Sequence, residues 1–173
     1  MHINEPRQQL DHMLRGTRLH LISFSQMADT KANILLSISS VLLSISLTRV
    51  SDSRFSGALS VLVGFLLITI FLALMTVIPR GMGWGHKKYS VHDPTYSPLY
   101  FGNYMDVPYE EYAQDLEEIM NDSDRTYEIM VKEIYYSGVY LANNKYKYVR
   151  LGYLFFFAGL IASTFIFFVE NFL

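Results

Sequence analysis

The stretch "MADTKANILLSISS", residues 27 to 40, sets an acid, a base and an amide, Asp29, Lys31 and Asn33, at the mouth of an apolar run. Serines then recur every few positions along that run. At ~100° per residue, Gln26, Asp29, Thr30, Asn33, Ser37, Ser40, Ser44 and Thr48 fall in one sector of about 100°. Such a row does hydrogen-bond chemistry. In an apolar helix it has two uses. It can let helices approach closely, with hydroxyls bonding back to carbonyls, or it can line a hydrated path between several copies of the helix. Lipid satisfies neither kind of group, so the row must face protein or water.

Other chemistry is thin. The chain has no HExxH, Walker loop, GxSxG or cysteine, which argues against an enzyme and excludes thiolate metal sites and disulfides. His86 and His92 lie six apart in a loop, with only Asp93 beside them. Asp122 and Asp124 stand where a helix begins and read as capping residues. What remains is recognition. Arg125, Lys132, Lys145, Lys147 and Arg150, together with Arg15 and Arg18, are interleaved with Tyr127, Tyr135, Tyr136, Tyr140, Tyr146 and Tyr148. Cations pair with phosphate and aromatics stack on bases. The same residues also suit anionic headgroups and an interfacial aromatic belt. A net charge of −2 provides no global field for a nucleic acid polymer.

The elements that position these groups follow from three uncharged blocks, Ala32–Thr48, Ala58–Ile78 and Leu151–Val169. Crossing ~30 Å of hydrocarbon takes roughly 20 residues of helix. The second and third blocks meet this. The first is short and draws on Met27, Ala28 or a snorkelling Arg49. The pattern predicts an all-α membrane protein with three transmembrane helices and a small cytoplasmic helical bundle built from their juxtamembrane extensions. The segments are an amphipathic helix over 1–31, spans over 32–50, 57–78 and 149–170, and loops and helices over 79–148. Twelve of the fourteen Lys and Arg residues lie before the first span or between the second and third. That bias puts the N-terminus and 79–148 in the cytoplasm and the 51–56 hairpin outside. No apolar leader precedes the first span, so it directs its own insertion.

Within 79–148, Pro79, Gly81, Gly83 and Gly85 stop the second helix, and a loop runs to Pro98. "LYFGNY", 99–104, suggests a short extended piece. Pro108 suits the first turn of a helix capped by Asp106 or Val107, ending near Met120. A longer helix then starts at Asn121 or Asp122, with a Glu128–Lys132 pair on its surface and Tyr127, Met130, Val131, Ile134, Gly138 and Leu141 on one face. Gly152, Gly159 and Ser163 form a small-residue ridge suited to contacts between copies.

Taken in order, "LISFSQMADTKANILLSISSVLLSI", "ALMTVIPR", "PLYFGNY" and "YEEYAQDLEEIMNDSDRTYEIMVKEIYYSGVYLANNKYKYVRLGYLFFFAGL" resemble the Pycsar transmembrane effector family. The likeness spans roughly 19–162. Departures are Tyr100-Phe101-Gly102 where the family has F-F-G, Glu133 as the acid before I-Y, and Ser39 in place of a common asparagine. The resemblance implies antiphage defence in the bacterial inner membrane. A cognate cyclase makes a cyclic pyrimidine nucleotide, cyclic UMP or cyclic CMP, and the effector answers by breaching the membrane. It implies no cofactor. Met27, Ala28, Asp29, Lys31, Ala32, Asn33, Phe101, Gly102, Tyr135 and Lys145 match the family pattern.

Together these readings make Arg18, Asp29, Lys31, Phe101, Gly102, Tyr135 and Lys145 the ligand-binding or coupling candidates. Asn33, Ser37, Ser40, Ser44 and Thr48 are the pore-lining or interhelical candidates. Three spans are too few to enclose a pore, so conduction requires a homo-oligomer. The competing reading is a membrane anchor or scaffold for a partner protein. A small transporter or intramembrane enzyme is disfavoured, because no acid or histidine lies inside the three uncharged blocks.

Overall fold

A computed structural model describes residues 7–49, 56–78, 88–93 and 96–172. The expected 51–56 hairpin lies outside the described residues but for Ser56, and so do Pro79 and the glycines to Gly85. Six α-helices are described: α1 Gln8–Arg49, α2 Ser56–Val77, α3 Phe101–Tyr104, α4 Tyr109–Asn121, α5 Ser123–Tyr140 and α6 Lys147–Phe172. A π-helical segment, Leu141–Tyr146, lies between α5 and α6. No strand occurs among the described residues. Three helical stretches, Gln8–Arg49, Gly57–Val77 and Ser123–Phe172, are long and apolar enough to cross a membrane. The chain is an all-α membrane protein.

The chain divides into two compact units, Met1–Ser23 with Pro79–Tyr140 and Phe24–Ile78 with Leu141–Leu173. The second unit is built on α2 and α6, which run antiparallel. Gly159 sets how closely they approach, since a Cβ on it would meet Phe65 Cβ at 2.5 Å. Gly152 makes room for α1: a Cβ there would meet Leu35 Cδ2 at 2.9 Å. At the other end of the pair, Gly57 leaves room for the Glu170 carboxylate. Ala28, Ala32, Leu35, Ala73 and Val149 form the buried core. Thr69 and Thr76 are buried and donate their hydroxyls to Phe65 O and Leu72 O in the preceding turn, which removes the cost of burying them. Gly152, Gly159 and Ser163 are buried inside the protomer. The small-residue ridge expected between copies is therefore spent on packing within one chain.

In the first unit, Leu14 and Tyr127 are buried, and Tyr127 Oη donates to Asp11 Oδ1 at 2.6 Å. Asp122 Oδ1 accepts from the N–H groups of Asp124 and Arg125 and so caps α5. Arg125 reaches back to Asp115 at 2.8 Å and Glu118 at 3.0 Å, tying α5 to α4. The surface pair Lys132–Glu128 closes at 2.7 Å. Three details differ from the pattern read along the chain. Val131, assigned to the inner face of α5, is exposed. Pro108 is itself the N-cap of α4, with no side-chain cap bond. The 99–104 run is a turn followed by one helical turn rather than an extended piece. The Tyr100 ring packs over Gly102, 2.7 Å from where a Cβ would stand.

Candidate functional site

The polar row of α1 looks away from the protomer's own core. Ala28, Ala32, Leu35, Ser39 and Ser46 are buried; at ~100° per residue they centre about 150° from the row. Asn33, Ser37, Ser40, Ser44 and Thr48 are all exposed. Elsewhere on α1 Ser46 bonds back to Leu42 O, and within the row Thr30 bonds to Gln26 O and Thr48 to Ile45 O. Asn33, Ser37, Ser40 and Ser44 have no side-chain hydrogen bond among the described residues. The row is thus not an internal packing seam of the protomer. A second hydroxyl, Ser39 Oγ, is fully buried and also without a partner, but on the packing side.

Asp29, at the head of the row, is held by Lys145. The ammonium lies 2.7 Å from Asp29 Oδ1, 2.6 Å from Oδ2 and 2.8 Å from Ser25 Oγ. It thus reaches three acceptor oxygens on α1. The adjoining Tyr146 Oη donates to Phe24 O at 3.2 Å. Lys145 and Asp29 are both partly shielded, with side chains 17% and 33% exposed, so the pair is screened less than a surface ion pair. Lys31 does not join them. It points ~160° from Asp29 around the helix and is exposed, while its carbonyl accepts Tyr153 Oη at 3.4 Å.

The remaining candidates are dispersed. Arg18 pairs with Glu133 at 3.2 Å. Burial raises the Glu133 carboxyl above its ordinary value, and Arg18 only partly opposes this. Tyr135 is 63% exposed and meets the Tyr136 ring edge-on at 5.4 Å. Gly102 is buried under Tyr100; Phe101 is described by its backbone alone. Burial and the neighbouring Asp115 push the Tyr96 hydroxyl up to about 12, and that hydroxyl has no partner. No group of His, Asp and Glu among the described residues is placed to hold a metal ion.

Of the residues singled out along the chain, the structure therefore joins Asp29 with Lys145 and lines up Asn33, Ser37, Ser40, Ser44 and Thr48. It leaves Lys31 apart from that pair, while Arg18, Tyr135 and Gly102 belong to the first unit. Sequence reasoning named Tyr146 among the recognition tyrosines but missed Ser25 and the π turn. No local signal in "LANNKY" announces a π turn, and the pairing of residues 116 apart is a product of packing.

Comparison with curated proteins and with solved structures gives no match. Comparison with protein families gives the Pycsar effector protein domain over residues 13–170, nearly the whole chain. With its three apolar helices, this places the protein in a membrane. The chain belongs to the Pycsar effector family and has the role of an antiphage-defence effector.

Proposed function

We propose that copies of this chain assemble in the bacterial inner membrane with the Asn33–Thr48 face of α1 turned toward one another. In this reading, a cyclic pyrimidine nucleotide, cyclic UMP or cyclic CMP from a cognate cyclase, converts the assembly to one in which that face is hydrated and the membrane leaks. One observation carries the reading: four polar side chains of an apolar helix lie opposite the protomer's own core with no partner among the described residues. Polar groups left in lipid are costly, and a second copy of the same face relieves that cost. The distribution of Lys and Arg supports a cytoplasmic N-terminus and a cytoplasmic 79–148, which is where the nucleotide is made. Arg18 and Lys145 already carry carboxylate partners, which suits coupling. The exposed Tyr135 suits stacking on a base. Ligand acts only through tighter binding to the leaky state than to the sealed one.

The test is conductance and dye leakage of liposomes holding the purified chain, with and without each nucleotide. Nucleotide-dependent leakage that Asn33→Leu and Ser40→Leu abolish is the expected result. Leakage indifferent to any nucleotide removes the sensing half, and leakage indifferent to both substitutions removes the pore half.

The second reading is an anchor or scaffold, favoured by the exposed Val131, Tyr135, Tyr136 and Val139 on α5, an apolar face suited to a partner protein. It requires that Asn33→Leu and Ser40→Leu leave cellular toxicity and localisation unchanged.

A further inference from the structure

The geometry points to Lys145 as a built-in counter-ion latch. Closed, it neutralises Asp29 and holds the π segment Leu141–Tyr146; released, it lets that segment re-form as α-helix and frees a carboxylate at the head of the Asn33–Ser44 row.

Three observations converge. The first is phase. Asp29 lies ~40° from Asn33 and ~20° from Ser40 around α1. Between Gln26 and Thr48 it is the one acid in that sector. Lys31 is on the other side of the helix and cannot replace Lys145 as its partner. The second is the closeness of the clamp. The Lys145 ammonium lies 2.7 and 2.6 Å from the two Asp29 carboxylate oxygens and 2.8 Å from Ser25 Oγ. A competing anion must displace a charge-assisted pair already made.

The third is backbone register. The π segment is anchored at both ends. Leu141 is buried at its start, and Lys145 and Tyr146 make side-chain bonds to α1 at its end. Hydrogen bonds of the i→i+5 kind are rare, occur as single turns and concentrate at functional sites. Returning the segment to i→i+4 bonding turns the residues after it by up to about one residue step, ~100°. That turn carries Lys145 off Asp29. Ion pair and α-helical register are therefore alternatives, and an element with two discrete arrangements is what a switch needs. Closed, the head of the row carries no net charge. Open, it presents an anionic group, which changes both the hydration of the row and its attraction for cations.

The inference rests on the membrane-effector reading for its consequence but not for its mechanism, and the two are separable by experiment. Amide hydrogen exchange over 141–146 is measured on the full chain in detergent, for the wild type, Lys145→Met, Asp29→Asn and the charge swap Asp29→Lys with Lys145→Asp. Membrane potential is followed in uninfected cells expressing the same variants. Passing between the two registers breaks the segment's hydrogen bonds each time, so the latch predicts exchange about tenfold or more faster in both single variants, where the two interconvert, the change that loss of about 1.4 kcal/mol gives, and slowing toward wild type in the swap. It also predicts depolarisation by Lys145→Met without any inducing signal, suppressed in the swap and absent in Asp29→Asn, which has no carboxylate to expose. Unchanged exchange in the single variants overturns the latch. Fast exchange that the swap does not slow also overturns it, by showing a general loss of folding. The expected exchange pattern with no depolarisation in any variant keeps the latch and removes the membrane-disrupting reading. Where Asp29→Asn fails to accumulate, Ser25→Ala removes one of the three acceptors and carries the same expectation at smaller amplitude; unchanged exchange there overturns the latch.

Discussion

Gly159 sits directly against Phe65: a Cβ on the glycine would fall 2.5 Å from the Phe65 Cβ. The contact lies between α2 and α6, and neither backbone can yield without moving its neighbours. Gly159→Val should destabilise the second unit by about 1–3 kcal/mol, the range for overpacking a filled site. Gly64, on the same helix as Phe65, has open space where a Cβ would stand, with nothing within 4 Å, so Gly64→Ala should change stability by no more than about 0.5 kcal/mol. Thermal melting of the two variants in one detergent checks the contrast. Equal melting temperatures would show that α2 and α6 do not meet this way.

Adjacent positions on α1 should behave oppositely. Ala32 is fully buried, and Asn33 is exposed. Ala32→Leu should cost about 1–3 kcal/mol by overpacking the core. Asn33→Leu should leave protomer melting unchanged while weakening association of copies and leakage. Melting together with subunit count in detergent separates the two effects. A large melting loss at Asn33 would mean the row packs within the protomer.

Ser39 Oγ is buried without a hydrogen-bond partner. Removing an unsatisfied buried hydroxyl recovers its desolvation cost, so Ser39→Ala should be neutral or stabilising by about 1 kcal/mol. A clear loss of stability in the same melting assay would indicate that the hydroxyl is engaged after all.

Glu133 gives the first unit a pH signature. Burial raises its carboxyl in the folded chain above the ordinary value near 4.5. Between that value and the raised one, the folded state holds the proton more often than the unfolded state. Stability therefore falls as pH climbs through that window and stays lower above it. Glu133→Gln should remove this slope, although it also gives up the ion pair with Arg18. Denaturant midpoints of the full chain from about pH 4 to 7, wild type against Glu133→Gln, measure the difference; parallel profiles would show that burial does not set this carboxyl.

Much was legible along the chain because its rules are local. Charge-free runs long enough to span hydrocarbon need no tertiary context to be recognised, and neither does the i,i+4 pair of Glu128 and Lys132 nor the Asp122 cap, since each depends on neighbours within a turn. Helical phase alone gathered Asn33, Ser37, Ser40, Ser44 and Thr48 onto one face.

What phase could not decide was where that face looks. A polar row serves equally well as an internal seam or an outward one, and only the burial of Ala28, Ala32 and Leu35 on the opposite side chose the second. The same limit applied to Gly152, Gly159 and Ser163. Small residues permit close approach but do not name the helix that approaches, and the side chains of Phe65, Leu35 and Leu72 claimed the space within the protomer. Lys145 and Asp29 are 116 residues apart, and the π turn that aims one at the other is held by bonds to α1 rather than by the preferences of its own six residues. Sequence by itself determined the three long apolar helices and the composition of their faces, because helix geometry is periodic and hydrocarbon thickness is fixed. Tertiary structure alone decided which faces meet and which charges pair, because those depend on how side chains distant in sequence fill a shared volume.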